Sequence, residues 1–236
     1  MKLSLAILVV LPARSLSFIP LPVSTRASST TPFSLASYWN EELNEYVPRG
    51  DSFQTASVVI TGGGGGVGYA YADELLSQGH RVVIADITPP EAPLLALKKK
   101  HGENAPIFGI KTDVSSWDDV CALGDFAVES LGSITHWINN AGINGGRREL
   151  LSVPPQEVER VVKVNLLGKI YCSKKAIEVL EKQTGVTSHL FNTVGSGVKG
   201  GGTPGYACYG ATKRGLPQFT DSLRKEIDEG VEVSPE

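Results

Sequence analysis

Eight residues constrain what this chain can fold into more than any others. Thr61-Gly62-Gly63-Gly64-Gly65-Gly66-Val67-Gly68 follow a β-branched apolar run at 56–60 and precede a segment of helical periodicity at 69–78, which Gly79 stops. A glycine run between a strand and a helix makes a tight turn with bare backbone. Its N–H groups, together with the helix N-terminus, can receive a phosphate. No Lys-Ser/Thr pair follows the glycines, so the loop lacks the means to hold the terminal phosphates of a nucleoside triphosphate. The chain has 26 glycines in all, and those outside this loop sit mostly in short clusters after apolar runs, as sharp turns do, and not in a collagen-like period.

The rhythm set by this turn repeats. An apolar run at 81–85 closes on Asp86, Pro89 and Pro90 open a helix that continues through Lys100, and a third strand follows at 106–111. A helix over 117–130, a strand at 136–138, a long helix over 155–181, a strand at 188–192 and a helix over 208–229 complete the pattern. Alternating strands and helices are most simply joined by right-handed crossovers, which place helices on both faces of a parallel sheet. The fold class is therefore α/β, a Rossmann-type doubly wound parallel sheet. With 236 residues, 41% of them apolar and 20% charged, the chain can bury one such core.

Residues outside this pattern read differently. Lys2 precedes an apolar run at 3–11 that Pro12 and Arg14 end, the layout of a signal peptide and too short to span a bilayer. Residues 15–34 are rich in Ser, Thr and Pro, and no Asp or Glu occurs before Glu41. Together they are similar to the two-part plastid presequences of algae with secondary plastids, in which a phenylalanine, here Phe18, follows the signal. The expected organisation is a signal-plus-transit presequence over 1–35, a linker or short entry helix over 36–55, and a dinucleotide-binding domain, incomplete at its C-terminus, over 56–236. A net charge of −3 without a basic stripe argues against a nucleic-acid partner. Cys121, Cys172 and Cys208 lack metal-ligand spacing, as do the four histidines, so structural thiols and no metal site are expected.

The carboxyl edge of the sheet gathers the residues that carry chemistry. Asp86 ends the second strand 18 residues after Gly68, where a carboxylate accepts hydrogen bonds from the adenosine ribose hydroxyls of a dinucleotide. Ile87 and Thr88 follow it, with no arginine to meet a 2′-phosphate, so Asp86 favours NAD(H). Asp113 and Val114 after the third strand are placed to meet the adenine, and Asn139-Asn140-Ala141-Gly142 after the fourth to form the groove floor. Tyr209 and Lys213, four apart, share a helix face, where an ammonium favours the phenolate and can also bond the nicotinamide ribose. Ser196, thirteen residues before Tyr209 and just past the fifth strand, is positioned to converge with the phenol on one carbonyl oxygen.

These residues together resemble the short-chain dehydrogenase/reductase family over 57–234. Gly62, Gly66 and Gly68 match its TGxxxGxG spacing, Thr61 and Val67 fall inside that motif, and Asp113, Asn139 to Gly142, Ser196, Tyr209 and Lys213 match its other signatures. By that resemblance Asn165 corresponds to the family asparagine that holds a water in a proton relay through the lysine, and its other reading is a hydrogen bond at a helix bend. Within the family, WINNAGIN at 137–144, FNTVGSG at 191–197 and TPGYACYGATKRGLPQF at 203–219 are similar to plant chlorophyll b reductases. This likeness implies reduction of the 7-formyl group of chlorophyll b in a plastid, a hydrophobic carbonyl substrate such as a tetrapyrrole, assembly into a homo- or hetero-oligomer and peripheral thylakoid association. The alternatives are a plastid reductase for a quinone, carotenoid or ketoacyl carbonyl, and a non-catalytic dinucleotide-binding subunit. The plant enzymes look NADPH-dependent, with a basic residue in the glycine loop and an arginine after the second strand, whereas this chain has Gly65 and Asp86. NADP(H) therefore stands on resemblance and NAD(H) on Asp86. Residues 231–235 resemble the start of the family's sixth strand, so the sheet is expected to lack its last strands.

Overall fold

The structure, a computed structural model, describes residues 2–9, 37–40, 45–48, 55–195 and 201–229. Its strands are β1 (Lys2–Val9), β2 (Ser37–Asn40), β3 (Glu45–Pro48), β4 (Ser57–Thr61), β5 (Arg81–Asp86), β6 (Ile107–Lys111), β7 (His136–Asn139) and β8 (Thr187–Val194). The helices are α1 (Gly66–Ser77), α2 (Glu91–His101), α3 (Trp117–Leu131), α4 (Pro155–Val162), α5 (Gly168–Leu180) and α6 (Ala207–Glu229). The chain divides into two units, one of Met1–Leu11 with Ala56–Glu236 and one of Pro12–Thr55.

In the larger unit six strands form one sheet in the order β1-β8-β7-β4-β5-β6, and every neighbouring pair is parallel. Chain order reverses between β4 and β7. At such a switch point the connections leave toward opposite sides, and a crevice opens beyond the carboxyl ends of the two strands. Val59, Val83, Ala85, Trp137 and Leu190 form one apolar layer with Leu123 and Ala127 of α3 and Ala176 and Leu180 of α5. Strand alternation turns Val58, Ile60, Val82 and Ile84 to the other face, and these are also fully buried, as a sheet covered on both sides requires. A buried polar chain ties β7 and β8 to α5 and α6. Trp137 Nε1 donates to Asn139 Oδ1 at 2.9 Å, Asn139 Nδ2 donates to Ser173 Oγ and Asn192 Oδ1 at 3.0 Å each, and Asn192 Nδ2 donates to Thr220 Oγ1 at 3.2 Å.

Several local expectations change. α1 begins at Gly66 and not at 69, because glycines carry no side chain through which periodicity can register. The helix expected over 155–181 is α4 and α5 joined by a π-helical turn, Lys163–Leu167, with Asn165 at its buried centre. The stretch read as a linker or entry helix contains β2 and β3, an antiparallel pair in which Tyr38 faces Val47 and Trp39 faces Tyr46, residues with high strand propensity. Residues 2–9, which overlap the apolar run read as a signal, form β1 and pair with β8 from Lys2↔Thr187 to Val9↔Val194. A short apolar run has the same pattern in a signal core and in a strand. The remainder of 1–35, apart from β1, and residues 230–236 lie outside the described residues.

Candidate active site

The glycine loop is shaped by contacts that exclude side chains. Gly62 has φ +66° and packs so tightly on the next strand's exit that a Cβ there would lie 2.8 Å from Ala141 Cα. A Cβ on Gly68 would be 2.7 Å from Asn140 Nδ2 and closer still to the Gly62 carbonyl. Thr61 Oγ1 accepts the N–H groups of Asn140 at 3.0 Å and Ala141 at 3.1 Å, and Asn140 Nδ2 donates back to the carbonyls of Thr61 at 3.1 Å and Gly62 at 3.2 Å. α1 starts without a side-chain cap and without an acidic residue in its first turn, so its N-terminus faces the crevice bare. Backbone N–H groups in a cradle whose Gly62, Gly63, Gly64 and Gly68 leave no room for a Cβ fit a pyrophosphate.

Two adjoining cavities of about 510 and 440 Å³ occupy this crevice, and Gly62, Asp86, Ala141 and Gly142 line both. The smaller runs along Gly64 to Val67, with Thr88 and Asn140. The larger continues past Ile87, Asp113 and Val114 to Gln156, Arg160, Lys163 and Val164. The Asp86 carboxylate is held from two sides. Oδ2 accepts the Gly64 N–H at 3.0 Å, and Oδ1 accepts the Thr88 N–H at 3.1 Å and hydroxyl at 3.0 Å. Asp113 Oδ1 accepts from the Ser115 N–H at 2.9 Å and hydroxyl at 2.7 Å, a turn that opens α3, while Val114 is buried against Val120 and Cys172. Thr88 and the α4 residues were not legible as site residues, since a threonine after a strand and charges on a helix carry no pattern of their own.

At the far end of the floor Gly142 meets the catalytic candidates. A Cβ on Gly142 would lie 3.1 Å from Asn165 Oδ1 and 3.4 Å from Lys213 Nζ. Asn165 Oδ1 accepts the Ile143 N–H at 2.8 Å and Nδ2 donates to the Ile143 carbonyl at 2.7 Å. Lys213 is buried, its Nζ 3.4 Å from the Thr193 carbonyl and 5.6 Å from the Tyr209 ring centroid. Burial pushes its pKa down to about 8. The Tyr209 phenol is pushed above its ordinary value by burial and by Tyr206, whose ring meets it edge-on at 6.2 Å. The net direction is opposite to the one the lysine's charge alone implies, because burial of the phenol outweighs it, with the ammonium 5.6 Å from the ring centroid. Gly195 lies against the phenol oxygen with no room for a Cβ. Ser196 lies outside the described residues.

Comparison with known proteins agrees with this arrangement. A family profile described as "short chain dehydrogenase" matches residues 56–235. The chain belongs to the short-chain dehydrogenase family. The relatives show which branches of the family it is near. It is 39% identical over 203 residues to the probable chlorophyll(ide) b reductase NYC1, chloroplastic, of Oryza sativa subsp. japonica, covering 79% of this chain and 39% of that protein. It is 39% identical over 174 residues to the chlorophyll(ide) b reductase NOL, chloroplastic, of the same plant, covering 72% of this chain and 50% of that one. This short-chain dehydrogenase therefore spans half or less of the length of those relatives. A 3-oxoacyl-[acyl-carrier-protein] reductase of Staphylococcus aureus is 30% identical, with 76% of this chain and 72% of that one covered. Among solved structures, a short-chain dehydrogenase/reductase of Burkholderia phymatum in complex with NAD superposes with a TM-score of 0.67 at 27% identity, covering 76% of this chain and 62% of that one. A 3-ketoacyl-(acyl-carrier-protein) reductase of Brucella melitensis complexed with NADH gives 0.68 at 28% identity, covering 75% and 72%.

Proposed function

We propose that this short-chain dehydrogenase is a nicotinamide-dependent carbonyl reductase, acting in a plastid on the 7-formyl group of a chlorophyll b-type tetrapyrrole. The observation that carries the carbonyl chemistry is the meeting of Tyr209, Lys213 and Asn165 around the end of one groove floor, Gly142 and Ile143. The names of the plant relatives support the formyl tetrapyrrole and the plastid.

In this reading the Gly62 loop and the first turn of α1 hold the pyrophosphate, Asp86 the adenosine ribose, Asp113 and Val114 the adenine, and Asn140 to Gly142 the floor. Lys213 holds the nicotinamide ribose. The nicotinamide, when bound, supplies the hydride taken up by the carbonyl carbon. Ser196 donates a hydrogen bond that polarises the carbonyl oxygen, and Tyr209 delivers the proton that oxygen needs once reduced. A phenol held above its ordinary pKa keeps that proton at neutral pH, which suits the reductive direction. Lys213 stabilises the phenolate left behind and is itself charged below about pH 8. Asp86, fixed by Gly64 and Thr88, favours NADH, because a 2′-phosphate would face a carboxylate already oriented.

Product analysis with chlorophyll b and each reduced cofactor tests the reading. Formation of 7-hydroxymethyl chlorophyll a, faster with NADH than with NADPH, is expected. Tyr209→Phe should lower kcat about 10²–10⁴-fold while dinucleotide affinity is kept. The bacterial relative, of which 72% is covered, favours a 3-oxoacyl thioester as the second substrate class. Turnover of such a thioester without turnover of the formyl pigment would replace the first reading with that one.

A further inference from the structure

Lys169 takes no part in the reaction above, yet it is 2% exposed and its Nζ donates to the carbonyl of Asn139. The ionisable groups that act on it are Lys213 and Cys172, and neither supplies a neutralising charge. Burial, then the neighbouring Lys213, hold the Lys169 pKa well below the ordinary lysine range, and burial pushes the Cys172 thiol up to about 12. An amine without a carboxylate partner is costly to bury, so its stabilising value to the core is poor. What it touches is more informative. Asn139 begins the five-residue floor that ends at Ile143, and Lys169 follows Asn165 by four residues along the same helix. Asn165 grips both backbone groups of Ile143, Lys169 grips the carbonyl of Asn139, and Thr61 Oγ1 holds Asn140 and Ala141 between them. One helix face thus pins the two ends of the floor while β4 pins its middle.

We propose that Lys169 is a positioning residue for dinucleotide binding, holding the Asn139 end of the groove floor as Asn165 holds the Ile143 end. The proposal rests on the reading that this groove takes a dinucleotide. Without the Lys169 contact, Asn140 loses the anchor that aims its side chain at the Thr61 and Gly62 carbonyls, and the glycine cradle loosens.

The test is equilibrium binding of NADH to the full chain, followed by cofactor fluorescence, for the wild type, Lys169→Met and Lys169→Gln, with thermal melting and steady-state kinetics alongside. Lys169→Met, which keeps the chain length and loses the donor, should raise the Kd about tenfold at an unchanged or higher melting temperature. Its KM for NADH should rise in step, while kcat at saturating NADH changes less than about twofold. Lys169→Gln, which keeps an N–H donor, should give an intermediate Kd. An unchanged Kd in Lys169→Met overturns the proposal, as does a loss of affinity that merely follows a loss of folded protein. Should Lys169→Met fail to fold, Lys169→Gln decides: a raised Kd at a preserved melting temperature supports the role, and an unchanged Kd overturns it. Absence of dinucleotide binding by the wild type overturns both this proposal and the reading beneath it, whereas equal binding by wild type and variants overturns this proposal alone.

Discussion

Lys213 shows how a single side chain can work against the fold that carries it. Its amine is buried, and its pKa falls from 10.5 to about 8, so the folded protein holds that proton less firmly than the unfolded chain does. The contribution of such a group to stability is complete above the unfolded value and is lost as pH falls through the folded value. At pH 7 the wild type therefore carries a cost of about 3 kcal/mol at most, reduced by whatever the long contact with the Thr193 carbonyl returns. Lys213→Met should melt several degrees higher than the wild type at pH 7 while losing turnover, and the difference should close as pH rises from about 8 toward 10.5. A variant that melts lower at pH 7 would mean that the ammonium is stabilised in place. The Asp86 carboxylate is held by three hydrogen bonds, from the Gly64 N–H and from the Thr88 N–H and hydroxyl.

The elements that build the site are coupled through polar atoms in the interior. Asn139 and Asn192 face each other across β7 and β8, and their side chains link Trp137, Ser173 of α5 and Thr220 of α6. α6 carries Tyr209 and Lys213, and α5 with the preceding π turn carries Lys169 and Asn165. The network thus sets α5 and α6 against the strand ends from which the floor departs. Asn192→Ala removes the acceptor of Asn139 and the donor to Thr220, leaving buried groups unmatched. A loss of about 2–4 kcal/mol in denaturant unfolding is expected, with a fall in kcat larger than the change in dinucleotide affinity, because α6 is displaced more than the glycine loop. Stability within about 0.5 kcal/mol of the wild type would show that the network is not what holds α6.

At the scale of the whole molecule the sheet has an edge to cover, and β1 covers it. Eight residue pairs run from Lys2↔Thr187 to Val9↔Val194, joining residues 2–9 to β8. An uncovered β8 would present unpaired N–H and C=O groups along its length. A chain lacking residues 1–11 should therefore melt roughly 5 °C or more below the full chain and aggregate more readily, with β8 amides exchanging faster with solvent. Equal melting would return residues 2–9 to the role that composition suggests, a targeting segment that contributes nothing to the folded domain.

The local pattern of residues was enough to determine the alternation of strands and helices, the α/β class, the position of the glycine loop and the gathering of Asp86, Asp113 and Asn140 at one sheet edge. Each of these follows from short-range physics: periodicity, glycine's freedom at a tight turn, and the rule that parallel strands end on one side. Only the tertiary structure decided the rest. The pairing of residues 2–9 as a strand depends on a β8 edge far away in sequence. The phenol of Tyr209 moves opposite to the direction its lysine neighbour implies, because burial, and then the charge of Tyr206, raise it, and burial is decided by packing. Lys169 is an ordinary helical lysine in the sequence and a buried clamp in the fold, since the carbonyl it holds lies 30 residues earlier and meets it only across the core.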